Sequence, residues 1–255
     1  MHHNHDDDER SLDGKVALIT GAARRVGAEI SRQLHALGMN LVLHYRQSKT
    51  DAQALQRELL EQRPDSVVLV QADLLNTAKL GSTIKIGVEA WGRLDALINN
   101  ASSFYPTPLG SISEKHWDDL LGSNLKAPLF LSQAAAPALR ESQGCIVNIT
   151  DIHADRPLKN HSVYSAAKAG LAMLTKSLAR DLGPDIRVNA VAPGAILWPE
   201  QELDDLTKRR IISNTALKRR GGPKDIARAV TFLIRDADYV TGQTITIDGG
   251  RSLHD

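Results

Sequence analysis

Val16-Ala17-Leu18-Ile19-Thr20-Gly21-Ala22-Ala23-Arg24-Arg25-Val26-Gly27 is the stretch on which the fold turns. Four apolar residues in a row suit a short strand buried on both faces. Thr20-Gly21 closes that run, and residues 28–37 then read as a helix that stops at Gly38. A strand, a glycine turn and a helix in this order let the backbone approach a pyrophosphate and aim a helix N-terminus at it. The same residues also suit an ordinary strand-to-helix turn, and the glycine spacing differs from G-x-G-x-x-G.

Outward from this unit the pattern repeats. Strands are predicted at 41–44, 67–70, 94–98, 145–149, 187–191 and 244–247. Helices are predicted at 51–63 (ending before Pro64), 166–182 and 224–234, with further helical stretches before and after the strand at 94–98. Short apolar strands alternating with helices predict an α/β fold: a doubly wound parallel sheet with helices on both faces. No repeat or linker divides it, so one domain is expected over 14–255, after a disordered tail over 1–13. The pattern weakens between Pro193 and Gly222, where prolines, glycines and Lys208-Arg209-Arg210 predict a mobile loop or lid. Within it, Ala195-Ile196-Leu197-Trp198-Pro199 is expected to shape a pocket, with Trp198 as its wall or as the anchor of the loop.

The chain has 255 residues, 42 % of them hydrophobic, which is enough for a sizeable core. With 31 basic and 30 acidic residues the net charge is +1, so nothing points to nucleic acid or an anionic membrane as a partner. Cys145 is the one cysteine, which excludes an intrachain disulfide and suits a reducing compartment such as the cytoplasm. Lying in the apolar run Cys145-Ile146-Val147, it reads as a buried thiol. No apolar run approaches the ~20 residues of a membrane span. His2-His3-Asn4-His5-Asp6-Asp7-Asp8 has no apolar segment, so no signal peptide is expected there. Its side chains could take up a metal, but a solvated tail without metal is the expectation.

The end of the second strand bears on which nucleotide would bind. NAD sites usually place an acid there for the ribose 2′-hydroxyl. This chain has His44-Tyr45-Arg46-Gln47-Ser48, and Arg46 with Ser48 suits a 2′-phosphate. NADP(H) is therefore expected over NAD(H); the alternative is a solvated arginine in a loop.

Tyr164-Ser165-Ala166-Ala167-Lys168 puts a phenol and an ammonium on one helix face. A nearby cation lowers a phenol's pKa, which would help it exchange a proton near neutral pH. Together with the T-G-x-x-x-G-x-G turn, Asn99-Asn100-Ala101-Ser102 and Pro193-Gly194, all in the same order, the chain resembles the short-chain dehydrogenase/reductase family over roughly residues 13–252. The resemblance implies a cofactor site built from Gly21, Val26, Gly27, His44, Tyr45, Asp73 and Leu74 near the adenine, Asn100, Ala101, Pro193 and Gly194. Arg25 stands where the family has its middle glycine, and Ser102 where it has another. Asn124 matches an asparagine that supports the family's proton relay, though a helix-capping or helix-bending residue fits as well. Thirteen positions before the tyrosine, where the broad family has serine, stands Asp151. A carboxyl there could hold and relay a proton to the nitrogen of a C=N bond. The alternative is a strand-end aspartate paired with His153 or Arg156. Thr150 is one place off and should face the other way.

Thr20 to Arg25, His44-Tyr45, Asn100 to Pro108 and the Asp151/Tyr164/Lys168 set together resemble the pteridine reductases, and the short segment 112–124 resembles their bacterial members. That resemblance implies that Phe104 stacks on a flat pterin, that Arg25 and Ser102 bond its polar edge and the cofactor phosphates, and that Tyr164 and Asp151 supply the proton. Lys168 would hold the nicotinamide ribose and lower the tyrosine pKa. The implied substrates are dihydropterins or dihydrofolate, and the implied assembly is a homotetramer. The alternative for Phe104 is a core aromatic, and its place in a polar, proline-bearing loop argues against that. Other readings stay open: a dihydromonapterin reductase, a reductase of carbonyls such as 3-oxoacyl thioesters or quinones, or a non-catalytic protein that senses NADPH.

Overall fold

In the first strand, β1 (Val16–Ile19), all four side chains are buried, Val16 and Leu18 on one face and Ala17 and Ile19 on the other. The same alternation runs through β2 (Asn40–Tyr45), β3 (Val67–Gln71), β4 (Ala96–Asn99), β5 (Cys145–Ile149) and β6 (Arg187–Pro193). A sheet buried on both faces needs apolar side chains on both, which is why these strands read as largely apolar runs, with Asn99, Asn148 and Asn189 as buried exceptions. β7 (Thr244–Ile247) is half exposed. The seven strands are all parallel in the order β3-β2-β1-β4-β5-β6-β7. The order reverses between β1 and β4, and in such sheets ligands bind outside the carboxyl ends at that point.

The computed structural model describes residues 10–196 and 204–253. On one face, α1 (Arg25–Ala36), α2 (Lys49–Gln62) and α8 (Pro223–Arg235) bury Ile30, Leu34, Leu59, Ile226 and Leu233. On the other, α3 (Leu80–Trp91), α5 (Ala127–Glu141) and α6 (Ser162–Leu182) bury Ile84, Leu131, Leu139 and Ala179. Each such leucine or isoleucine stabilises the fold by roughly 1.5–3 kcal/mol. The doubly wound parallel α/β fold expected from the sequence is thus the one observed.

Some details differ from the expectation. Leu12 is 3 % exposed and joins the core, so the packed chain begins ahead of Gly14. β4 starts at Ala96, because the Asp95 carboxylate turns back to accept the Val16 N–H at 2.8 Å. The stretch from Pro193 to Gly222 is not all loop. It contains α7 (Asp205–Ser213), capped by Asp204, whose Oδ1 accepts the Thr207 N–H at 2.8 Å. Lys208, Arg209 and Arg210 lie in this helix, which buries none of its side chains. The expectations for Leu197, Trp198 and Pro199, and for the metal-binding potential of residues 2–8, fall outside the described residues. Cys145 is buried, and burial pushes its thiol up to about 11, which suits a core thiol. No helix among the described residues is long and apolar enough to cross a membrane.

Candidate active site

The turn after β1 is held by its own side chains. The Thr20 hydroxyl accepts the N–H groups of Asn100 and Ala101 at 2.9 and 3.0 Å, which fastens β1 to the end of β4. The Asn100 amide donates to the carbonyls of Thr20 and Gly21 at 2.8 and 3.1 Å. Gly21 has φ +61°, the left-handed region that glycine enters freely, and lies against Ala101. Gly27 sits so close to the turn that a Cβ there would come 2.3 Å from the Gly21 oxygen. Val26 packs against the core beneath. At the start of α1, Arg24 makes no side-chain cap and the first turn carries no acid, so its N–H groups and positive dipole end suit an anion. This cradle fits the pyrophosphate of a dinucleotide.

The other end of that dinucleotide would lie past β2 and β3. Arg46, in the bend just after β2, is exposed and Ser48, at the N-cap of α2, is half-buried, while Tyr45 is buried. Arg46 and Asp73 line one cleft of about 340 Å³, together with Gln71, Asn76 and Lys79. The Asp73 carboxylate accepts the Leu75 N–H at 3.1 Å, and Leu74 is buried. Pro193 and Gly194 end β6; the Gly194 N–H donates to the Ile247 carbonyl at 3.0 Å.

Asp151, Tyr164, Lys168, Ser102, Asn124 and Phe104 come together. Tyr164 and Lys168, one turn apart on α6, are 4 % and 3 % exposed. The Tyr164 hydroxyl donates to Asp151 Oδ2 at 2.8 Å, and Asp151 Oδ1 accepts the His153 N–H at 2.8 Å. One carboxylate oxygen therefore caps the turn after β5, as the strand-end reading requires, while the other meets the phenol. Thr150 faces away, its hydroxyl donating to the Val191 carbonyl at 3.0 Å. The Lys168 ammonium donates to the Ile149 carbonyl at 2.8 Å.

The electrostatics correct one expectation. The phenol of Tyr164 is raised well above its ordinary value, first by burial and then by the charge and hydrogen bond of Asp151, with Ser102 opposing weakly. Lys168, 5.7 Å from the ring centroid, does not overcome this. Its own ammonium is pulled down to about 8 by burial, with Asp151 opposing. The tyrosine is thus held as a neutral phenol with a proton to give.

Asn124 is fully buried in a single wide helical turn, Gly122–Lys126, between α4 (Glu114–Leu121) and α5. Such turns are frequent at functional sites. Its amide N–H groups donate to the carbonyls of Ser103 and Leu120, each at 2.9 Å, and its Oδ1 accepts the Ser102 hydroxyl at 2.7 Å. The asparagine therefore grips the loop that carries Ser102 and Phe104. Phe104 is 49 % exposed, so it is not a core aromatic, as its polar, proline-bearing loop led one to expect. Its ring meets Tyr164 edge-on at 4.8 Å.

Several side chains near the site escaped the sequence reading. His161 stacks on Phe104 with ring centroids 4.9 Å apart. It stands three residues before Tyr164, a spacing that could have signalled the neighbourhood. Tyr105 donates to Asp119 at 3.0 Å, tying the Phe104 loop to α4. Lys79 joins Arg46 in the cleft, with no motif to announce it. Arg25 has φ +55°, a conformation that costs a non-glycine residue roughly 1–2 kcal/mol.

Known proteins share this layout. A family profile described as Enoyl-(Acyl carrier protein) reductase matches residues 21–252. Pteridine reductase 1 of Leishmania tarentolae is 37 % identical, over 93 % of this chain and 96 % of its own. That alignment runs to 281 positions, more than the 255 residues here, so the relative carries insertions that this chain lacks. A 3-oxoacyl-(acyl-carrier-protein) reductase of Staphylococcus aureus is 38 % identical over 92 % of this chain and 97 % of its own, and one from Synechocystis is 34 % identical over 94 % and 98 %. With the glycine turn, the asparagine-alanine segment and the tyrosine-lysine pair all in place, this chain belongs to the short-chain dehydrogenase/reductase family of NAD(P)(H)-dependent oxidoreductases.

Proposed function

We propose that this protein is an NADPH-dependent pteridine reductase that reduces dihydropterins, and dihydrofolate, to the tetrahydro level. The observation that carries the reading is the 2.8 Å hydrogen bond from Tyr164 to Asp151, beside the half-exposed ring of Phe104. A serine at position 151 would suit a carbonyl oxygen; a carboxylate can store a proton for a ring nitrogen. NADPH would supply the hydride, held by the turn from Gly21 to Gly27 and by Arg46 and Ser48 at its 2′-phosphate, with Lys79 as a second cation nearby.

The proton path follows from the pair. With Asp151 ionised, the phenol's proton is pinned between the two oxygens. When Asp151 takes up a proton, it can donate to the phenol oxygen and free the Tyr164 hydrogen for the substrate. Lys168, fixed on Ile149, would hold the nicotinamide ribose. Phe104 offers a flat apolar surface for a pterin, and Arg25 with Ser102 offers polar groups for its edge. A homotetramer in the cytoplasm completes the reading.

The equally similar 3-oxoacyl reductases support a second reading, reduction of a 3-oxoacyl thioester. NADPH oxidation with dihydrobiopterin, dihydrofolate and a 3-oxoacyl thioester separates the two, for wild type and Asp151→Ser. Pterin turnover should fall on the order of 100-fold in the variant, the typical worth of a positioned proton donor. Turnover of the thioester alone would reject the pterin assignment.

A further inference from the structure

His44 is buried, at 2 % exposure, at the end of β2, and each polar atom it offers toward the turn is used. Its Nδ1 lies 3.2 Å from the Gly21 nitrogen and its Nε2 lies 3.1 Å from the Ala72 oxygen. Its own carbonyl accepts the Ala22 N–H at 2.9 Å. A backbone N–H only donates and a carbonyl only accepts, so the ring must accept at Nδ1 and donate at Nε2. That settles the tautomer: neutral, with its hydrogen on Nε2. The imidazole thus bridges the glycine turn to the strand end just before Asp73.

We propose that His44 is a positioning residue for the dinucleotide, acting as a neutral clamp between Gly21 and Ala72 whose protonation opens the turn and weakens NADPH binding. The proposal rests on the reading that this turn holds NADPH. A protonated ring carries hydrogen on both nitrogens, and Nδ1–H would then face Gly21 N–H, donor against donor. The bond is lost and the turn is pushed away from the strand end. Burial holds His44 below its ordinary 6.5, while the Ala72 carbonyl and then the charge of Asp73 oppose it. On the turn itself stand Arg24, engaged by Asp51 at 2.7 Å, and Arg25; Arg46 follows on the strand end. The clamp is therefore intact at neutral pH and opens only as the pH falls through that lowered value.

Titration of the full-length protein with NADPH, from neutral pH down through the wild-type ring's own protonation as followed by NMR, tests this for wild type, His44→Asn and His44→Gln. Asparagine puts an acceptor near the Nδ1 position and cannot reach Ala72; glutamine puts a donor near Nε2 and leaves Gly21 unpaired. Each variant should bind NADPH roughly three- to tenfold more weakly at neutral pH, the worth of one net hydrogen bond. KM for NADPH should rise while kcat at saturation stays within about twofold. Acid weakens all three through the 2′-phosphate, so the clamp shows as an extra acid-dependent loss, about tenfold, in wild type alone. Parallel pH profiles in the three proteins would overturn the proposal. If a variant does not fold, nitrogen NMR of the wild-type imidazoles decides: a ring neutral with Nε2–H at pH 7 supports the clamp, and an Nδ1–H or charged ring at His44 overturns it. Wild type that binds no NADPH would instead reject the cofactor assignment, and the NMR result would still decide whether His44 holds Gly21.

Discussion

Arg25 shows what a single residue does under opposing demands. At φ +55° it occupies a conformation open to glycine without strain, on the turn beside the site. A strained non-glycine residue persists where its side chain has a use, and here the proposed use is the polar edge of the pterin and the cofactor phosphate. Arg25→Gly should therefore move stability and function in opposite directions. Relief of strain, less the flexibility glycine adds to the unfolded chain, should stabilise the fold by about 0.5–1 kcal/mol, raising Tm by about 2 °C. KM for dihydrobiopterin should rise about tenfold, as expected when one charge-assisted hydrogen bond is lost. Thermal melts and steady-state kinetics on the same sample read both. A variant with a lower Tm, or with unchanged KM, would show that the arginine serves the fold and not the ligand.

At the scale of elements, the strand–turn–helix start depends on how closely α1 approaches β1. The Gly27 Cα lies where any Cβ would strike the Gly21 oxygen at 2.3 Å, backbone against backbone, so relief requires the helix to move. Gly27→Ala should cost roughly 1–3 kcal/mol of stability and abolish measurable NADPH binding. Gly81, in α3, has open space for 4 Å around the place a Cβ would take, and Gly81→Ala should instead stabilise by about 0.5–1 kcal/mol. Calorimetry with and without NADPH compares them; if Gly27→Ala retains the ligand-induced rise in Tm, the close approach has no bearing on the cofactor. The same elements show how far the sequence can be read. β1 is legible because two buried faces put an apolar residue at every position, and β5 because they do so at every position but Asn148. α7 is not, because it buries nothing and so leaves no periodic apolar stripe. The wide turn at Asn124 is equally silent, since a change in hydrogen-bond register leaves no mark in residue spacing. Tyr164, Lys168 and Asp151 were legible as a spacing, yet the raised phenol was not, because burial is a property of the whole surround. His44 was legible only as a member of a motif; what its ring nitrogens bond is decided by β3 and the turn.

At the scale of the whole molecule, the candidate site lies at the carboxyl ends of β1, β4 and β5, beside the point where the sheet order reverses, and other surfaces are left uncovered. β7 is an edge strand whose outer side pairs with nothing in the sheet order, and such edges are usually covered or blunted. Phe232 on α8, packed next to it, is 43 % exposed; Trp117 on α4 and Met173 on α6 are 51 % and 61 % exposed. Exposed large apolar side chains on helices of both sheet faces suit two separate self-contacts, and two isologous contacts at right angles close a tetramer. Light scattering should give about four times the 27.8 kDa of one chain. Phe232→Asp should break the contact beside β7 alone and leave dimers, because a charge buried at an interface without a partner costs several kcal/mol. Met173→Glu, on the other face, should leave dimers of the second kind, and the two together monomers. A wild-type mass of one chain, or a tetramer indifferent to both changes, would place the assembly on other surfaces or rule it out.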